Sequence, residues 1–161
     1  MFDKMYNPLL TAEFLQNGFR HGNSQCQDFA LESLVILIGK HSLEYPDYYE
    51  HLYNMVKERS SFSLKILKIL EISLRNSKIT ATTVLPFMKL FLRKSLFSNP
   101  LEICWFLSIV INLSKRNESL RTFYSAEGEF EDLYDLDMEF KEVKGLGMER
   151  IKAVEVLSLR K

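Results

Sequence analysis

The chain has 161 residues, with 21 Lys plus Arg against 21 Asp plus Glu, 47% hydrophobic and 26% charged; this is the balance of one globular domain and argues against a disordered chain. Six Gly and four Pro are too few for a collagen-like or linker-dominated chain, and two cysteines, Cys26 and Cys104, make no disulfide framework. No Cys/His spacing fits a zinc site, the opening MFDKMYNPLL lacks the order of a secretory signal, and the densest apolar stretch, Ile103 to Leu113, is too short to span a bilayer, so a soluble intracellular protein with reduced thiols is expected.

Residues 8–20 open with Pro8 and predict a short helix with Leu9, Leu10, Phe14 and Leu15 on one side, interrupted by Gly18 and Gly22. Ser24 to Lys40 is a stronger helix. Ser24 is placed to cap it, Gln27 and Asp28 sit in its first turn, and Gly39 with the polar residues after it is placed to end it. Its apolar residues are Phe29, Ala30, Leu34, Val35, Leu37 and Ile38. Pro46 suits the first position of a helix running to about Lys57, with Tyr48, Tyr49, Leu52, Tyr53 and Val56 available for packing. Ser60, Ser61 and Ser63 read as caps for the next helix, Phe62 to Arg75. There Lys65, Lys68, Glu71 and Arg75 form one narrow polar line, and the remaining apolar surface requires cover on two or three sides.

Thr80 to Leu96 is interrupted by Pro86, which predicts a kink or a start nearer Thr83. Phe87, Leu90, Phe91 and Leu92 form its inner face, with Lys89, Arg93 and Lys94 outside. Asn99 and Pro100 signal the start of a fifth segment, Leu101 to about Lys115. Only Ser108, Asn112 and Lys115 break its apolar surface, so by pattern it is the most buried helix, with Trp105 in the core and Cys104 an inert core thiol. Residues 125–142 hold 8 acidic side chains and one Lys between Glu127 and Glu142. They predict a mobile acidic loop, with Phe130, Leu133, Tyr134 and Phe140 as docking points. A final helix, Met148 to Leu159, carries Ile151, Val154 and Leu157 at helical spacing. Consecutive helices joined by short loops predict an all-α fold, a HEAT-like antiparallel helical stack or α-solenoid fragment. No exact repeat is visible.

The neutral total hides a sign pattern. Residues 1–56 are net −4, residues 57–121 net +8 and residues 122–161 net −4. Lys89, Arg93, Lys94, Lys115 and Arg116, supplied by two neighbouring helices, could form a basic patch for phosphates or an acidic partner. The plainer reading is solvated outer helix faces. No aromatic residues are interleaved among these cations as an RNA-stacking surface requires. Asp47 and His51, four apart, could serve as a base and its orienter, but such pairs are more often surface hydrogen bonds. His41 and Glu44 flank the same corner and read as structural. Phosphate-loop, dinucleotide-binding and nucleophile-elbow motifs are absent from the sequence. No catalytic residue, cofactor or metal is expected.

The string ALESLVILIGKHSLEYPDYYEHLYNMV, Ala30 to Val56, resembles a signature of the CCAAT-binding-factor (CBF) domain, and more narrowly of the nucleolar complex protein four family. In both, an apolar helix ends in a Lys-His pair, here Lys40 and His41. Then come Leu43, Glu44, Tyr45, Pro46, Asp47, Tyr48 and Tyr49, followed by Leu52 and Tyr53. Phe87, Lys89, Pro100 and the run Ile109 to Arg116 agree more loosely, so the likeness covers Cys26 to Arg121. The family's long N-terminal region is almost absent, its His-Tyr-His-Pro segment has no counterpart, and Pro86 replaces a small helix former. The resemblance implies a C-terminal module, as a reduced protein or a fragment. Residues 1–23 would be a short helix and loop, 24–121 the CBF-like helical domain, and 122–161 the acidic loop and last helix.

The resemblance further implies a non-enzymatic scaffold in small ribosomal subunit biogenesis, in the nucleolus. It would act in the small-subunit processome and in pre-ribosomal RNA processing. Its partners would be a nucleolar protein fourteen-like protein and other processome proteins, with pre-ribosomal RNA reached indirectly and no membrane involved. Two other readings stay open, a direct RNA-binding helical module and a generic helical-repeat adaptor. The Leu43–Tyr53 signature itself reads as a helix-to-helix corner or as a partner-binding surface. Pro46 and Asp47 suit a helix start, and the tyrosines supply amphipathic packing area.

Overall fold

The computed structural model describes residues 7–76, 79–116, 120, 135 and 137–146, and every regular element among them is helical. A 3-10 turn, Pro8–Thr11, leads into α1 (Ala12–His21) and α2 (Ser24–His41). Then follow α3 (Tyr48–Glu58), α4 (Leu64–Leu74), α5 (Ala81–Ser95), α6 (Pro100–Arg116) and α7 (Phe140–Leu146). The chain reverses within each of the first three pairs. A side chain at Gly18 of α1 would touch Ala30 of α2, Tyr48 of α3 meets Ser73 of α4, and Phe91 of α5 stacks on Phe106 of α6.

Between pairs the direction is kept. Glu32 of α2 pairs with Lys65 of α4, and Glu71 of α4 accepts from Asn112 of α6. The odd helices α3 and α5 pack in one row and the even helices α2, α4 and α6 in another. Parallel rows built from antiparallel pairs are the geometry of a helical solenoid, and the all-α stack expected from the sequence is what forms.

Local rules differ from the expected ones in instructive places. The helix of residues 8–20 divides into the 3-10 turn and α1, which runs through Gly18 and stops at Gly22. A Cβ at Gly22 would lie 2.3 Å from the Gly18 carbonyl oxygen and 2.7 Å from Cys26 Cβ, so the α1–α2 turn leaves no room for a side chain. The buried residues of α1 are Ala12, Leu15 and Phe19, while Leu9, Leu10 and Phe14 face outward. Leu9 and Leu10 belong to the 3-10 turn, and Phe14 lies about 100° around α1 from Leu15, so only Leu15 of the expected face packs inward. Asn23, not Ser24, caps α2 by accepting the Cys26 N–H at 2.9 Å. α2 runs through Gly39 and ends among the polar residues after it. The helix continues to His41, and Ser42 takes the left-handed conformation (φ 52) while Leu43 N–H returns to the Leu37 carbonyl.

Pro46 is not the first residue of α3. Pro46 and Asp47 form a turn closed by the Tyr48 N–H on the Tyr45 carbonyl at 3.1 Å, and the helix begins at Tyr48. Ser63 caps α4, and Lys65, Lys68, Glu71 and Arg75 line its outer side as expected. Pro86 neither ends nor delays α5. The carbonyl that its missing N–H leaves unserved belongs to Thr82, an exposed residue that water can reach. Asn99 caps α6 as its sequence signalled, accepting the Glu102 N–H at 3.0 Å.

The depth of the two long helices is inverted from expectation. α5 is the most buried helix, from Thr83 to Leu92 without a break, and it includes Lys89. α6 buries only its inner side: Leu101, Cys104 and Ile111 are exposed, and Trp105 is half-buried against the core. Cys104 is therefore not a core thiol. α7 also replaces the last part of the expected acidic loop. Phe140 docks on Tyr53 and Phe87, with ring centroids 5.4 and 5.7 Å apart. Lys57 donates to the carbonyls of Asp137 (2.7 Å) and Met138 (3.2 Å), and Lys141 pairs with Glu50 at 3.1 Å. The other docking points, Phe130, Leu133 and Tyr134, and the helix expected from Met148 to Leu159 lie outside the described residues.

Candidate protein-interaction site

The core is strung on aromatic rings. Phe19 leads to Tyr48, Tyr48 to Tyr49, Tyr49 to Phe87, Phe87 to Phe91, Phe91 to Phe106 and Phe106 to Phe62, with centroids 5.1–6.5 Å apart. The Leu43–Tyr53 signature supplies two of these rings, Tyr48 and Tyr49. Tyr45, Tyr48, Leu52 and Tyr53 are buried, Leu43 and Tyr49 half-buried, and Glu44, Pro46 and Asp47 exposed. Pro46 and Asp47 turn the chain, so Tyr45 faces α1 while Tyr48 and Tyr49 face α4.

Each hydroxyl at the corner has a partner. Arg20 Nε donates to the Tyr45 hydroxyl at 3.0 Å, and its guanidinium lies 5.4 Å from that ring's centroid. The Tyr48 hydroxyl and Ser73 Oγ are 2.8 Å apart, and the Tyr49 hydroxyl donates to the Ser73 carbonyl at 3.3 Å. Burial pushes the Tyr48 phenol well above its ordinary range and the Tyr49 phenol up to about 12. The signature thus ties α1, α3 and α4 together. Asp47 and His51 do not form a base and orienter among the described hydrogen bonds, where the Asp47 carbonyl accepts the His51 backbone N–H. Burial and the nearby Arg20 charge hold the His51 imidazole below its ordinary range.

A polar junction that sequence reasoning missed lies at the other end of α3. Arg59 forms an ion pair with Asp28 and donates to the Ser24 carbonyl at 3.1 Å, which holds the α3–α4 loop to the start of α2. Lys94 Nζ donates to the Arg59 carbonyl at 2.6 Å. Glu102, buried, accepts the Phe62 N–H at 2.7 Å. Burial lowers the Lys94 pKa, and the Glu102 charge opposes that shift. One carboxylate and one ammonium therefore serve backbone groups of a single loop. The sequence offered one signal, an acid in the first turn of an otherwise apolar α6.

The five cations of the expected basic patch do not come together. Lys89 is 2% exposed, walled in because α3, α6 and α7 surround α5. Arg93 and Lys94 lie at the end of α5 beside Lys57 and Phe62, around a cavity of about 400 Å³. Lys115 and Arg116 end α6 near Arg75, at the opposite end of the antiparallel pair. A helix the length of α6 spans roughly 25 Å, so the two groups form no single surface.

Apolar side chains stay exposed in several places: Leu10, Phe14 and Phe29 around α1 and α2, Phe97 after α5, and the outer sides of α4 and α6. Leu64 and Ile72 on α4 and Leu101 and Ile111 on α6 are exposed, and the Glu71–Asn112 bond joins the two helices. Among the described residues no group of His, Cys, Asp and Glu could hold a metal ion, and no helix is long and apolar enough to cross a membrane. Exposed apolar side chains set among charged ones are suited to contact with another protein.

Residues 29–152 match the model of the CBF/Mak21 family. The chain is 32% identical over 118 residues to the nucleolar complex protein 4 homolog of Rattus norvegicus, covering 71% of this chain and 22% of that protein. It is 31% identical over 122 residues to the human nucleolar complex protein 4 homolog, covering 73% and 23%. With the Arabidopsis thaliana protein NUCLEOLAR COMPLEX ASSOCIATED 4 it shares 31% over 117 residues, covering 71% and 20%. The chain thus spans less than a quarter of the length of these relatives, whose names place them in the nucleolus. No solved structure matches it significantly. By a match that spans the signature corner, α3 to α7 and most of α2, the chain belongs to the CBF/Mak21 family.

Proposed function

We propose that the chain is a non-enzymatic scaffold module of nucleolar ribosome biogenesis, acting in the small-subunit processome during pre-ribosomal RNA processing. Its partners are a nucleolar protein fourteen-like protein and other processome proteins. The observation that carries this reading is the family match over residues 29–152, together with relatives whose names are nucleolar. The stack supports it physically, because a solenoid offers long helix faces rather than a cleft. Its polar junctions are occupied in joining helices.

Direct RNA binding draws less support, since the expected basic patch is split between two ends and Lys89 is buried. A tagged pull-down from cell extract, with and without RNase, tests the proposal. Small-subunit processome proteins recovered after RNase are the expected result. Recovery only without RNase would turn the reading to RNA binding. Absence of pre-ribosomal proteins in both would leave a helical adaptor outside ribosome assembly.

A further inference from the structure

We propose that the cavity between the α3–α4 loop and the end of α5 binds a phosphorylated serine or threonine in a segment of a partner protein, an inference that rests on the scaffold reading above. The cavity holds about 400 Å³, and Lys57, Arg93 and Lys94 line it against one carboxylate, Asp137. Lys57 comes from the last turn of α3, and Arg93 and Lys94 from the last turn of α5. Ser60 adds a hydroxyl from the loop. Two rings share the wall: Phe62, which is buried with Lys94 Nζ 5.9 Å from its centroid, and Phe97, which is 83% exposed.

Donor counts leave room for an anion. An ammonium carries three N–H donors and a guanidinium five. Lys57 uses two on the carbonyls of Asp137 and Met138, and Lys94 uses one on the Arg59 carbonyl. These acceptors carry no formal charge, so they hold the two ammonium groups in place without neutralising them. Even with the buried Glu102 acting on Lys94, cations outnumber carboxylates here. A phosphate monoester presents three acceptor oxygens and up to two charges, and it can meet cations arriving from two helix ends. A carboxylate has two oxygens in one plane and one charge. An RNA strand needs a continuous cationic track, whereas Arg75 and Arg116 line a separate cavity at the opposite end of α6. Phe97 gives an apolar neighbour of the phosphorylated residue a ring to rest on, which free phosphate would leave unused.

The test uses the full chain and a labelled neutral peptide of about ten residues, carrying one phosphoserine followed by Phe and Leu. Twin peptides carry Ser or Glu in its place. The phosphopeptide is expected to bind at least about tenfold more tightly than either twin, and to lose at least about tenfold on Arg93→Glu. Arg93→Lys should keep part of the binding, and Arg75→Glu, at the other cavity, should leave it unchanged. Phe97→Ala should cost about threefold with an unchanged melting curve, because the ring is exposed. Equal binding of the phosphorylated and plain peptides would overturn the inference, as would a Glu twin that binds as well as the phosphopeptide. So would Arg93→Glu and Phe97→Ala variants that bind as the wild type does. Tighter binding of oligouridine would assign the cavity to nucleic acid instead. Inorganic phosphate that displaces the label as potently as unlabelled phosphopeptide would make it a site for the free anion.

Tagged proteins in extract treated or not treated with phosphatase separate this idea from the scaffold reading. If wild type and Arg93→Glu recover the same processome proteins from both extracts, the phosphate site is wrong and the scaffold reading stands. If the wild type recovers none but binds the phosphopeptide through Arg93 and Phe97, the phosphate site stands and the ribosomal assignment falls.

Discussion

α5 and α6 form one hairpin, have similar lengths and carry similar apolar content, yet one is sealed and the other is half open. α5 is enclosed by α3, α6 and α7. α6 closes against α5 and α4 and keeps its other side exposed. The difference lies in the neighbours, not in the helices themselves. A run of apolar residues says that a helix wants cover; the rest of the chain decides whether it receives any.

The sharpest way to break this comparison is to truncate one side chain on each helix. Phe87 is fully buried and touches Tyr49, Tyr53, Phe91 and Phe140. Phe87→Ala should cost about 3–5 kcal/mol in urea unfolding. Ile111→Ala should stay within about 0.5 kcal/mol of the wild type. Similar losses at both sites would mean that α6 is as sealed as α5.

The inner side of α6 allows a second test. Glu102→Ala leaves the buried Phe62 N–H without its acceptor and should cost about 1–3 kcal/mol. Glu102→Gln keeps an acceptor and should recover part of that loss. If both variants melt like the wild type, the junction does not hold the α3–α4 loop.

On the sealed side, Tyr48 and Tyr49 make a pH prediction. Their phenol pKa values are raised in the fold, Tyr49 to about 12, whereas a tyrosine in the unfolded chain ionises near ~10. A raised acid pKa means that the neutral form is the one the fold holds. The stability it contributes is complete below about pH 10 and is lost as pH rises toward 12. Urea midpoints across that window should fall, and fall less steeply in Tyr48→Phe and Tyr49→Phe. Identical slopes in all three proteins would contradict the buried corner.

The smallest expected effect is at Ser42, which joins the two rows in a left-handed conformation. Ser42→Gly should raise stability by up to about 1 kcal/mol, because glycine adopts that conformation freely. A loss of stability in the same melt would mean that the serine side chain supports the corner.

Much of this was legible in the residues. The positions of α2 to α6, the Asn99-Pro100 start and the polar line Lys65, Lys68, Glu71 and Arg75 follow from spacing and cap chemistry. Asn23 and Ser24 are both good caps, and only the phase of α2 chooses between them. The Leu43–Tyr53 signature was visible as a motif, but its partners Arg20 and Ser73 lie 25 residues away from Tyr45 and Tyr48 on either side. No periodicity reveals such a pairing. Ser73, a lone small polar residue on the inner side of an apolar helix, was the available hint.

Spacing places Lys89 outside because the acidic composition before α7 hides that helix. The signals for α7 were Phe140 and Val143 at helical spacing and Glu142 reaching back to the Glu139 N–H at 2.9 Å. Once α7 covers α5, a lysine that spacing would leave in solvent becomes enclosed.

α6 is open to solvent along its outer side, and Cys104 reports on that directly. Both native thiols, Cys26 and Cys104, are exposed. Titration of the native full chain with a thiol-reactive chromophore should label both without denaturant, and Cys104→Ser should remove one equivalent. If Cys104 reacts only after unfolding, α6 is covered, and the contrast with α5 is wrong.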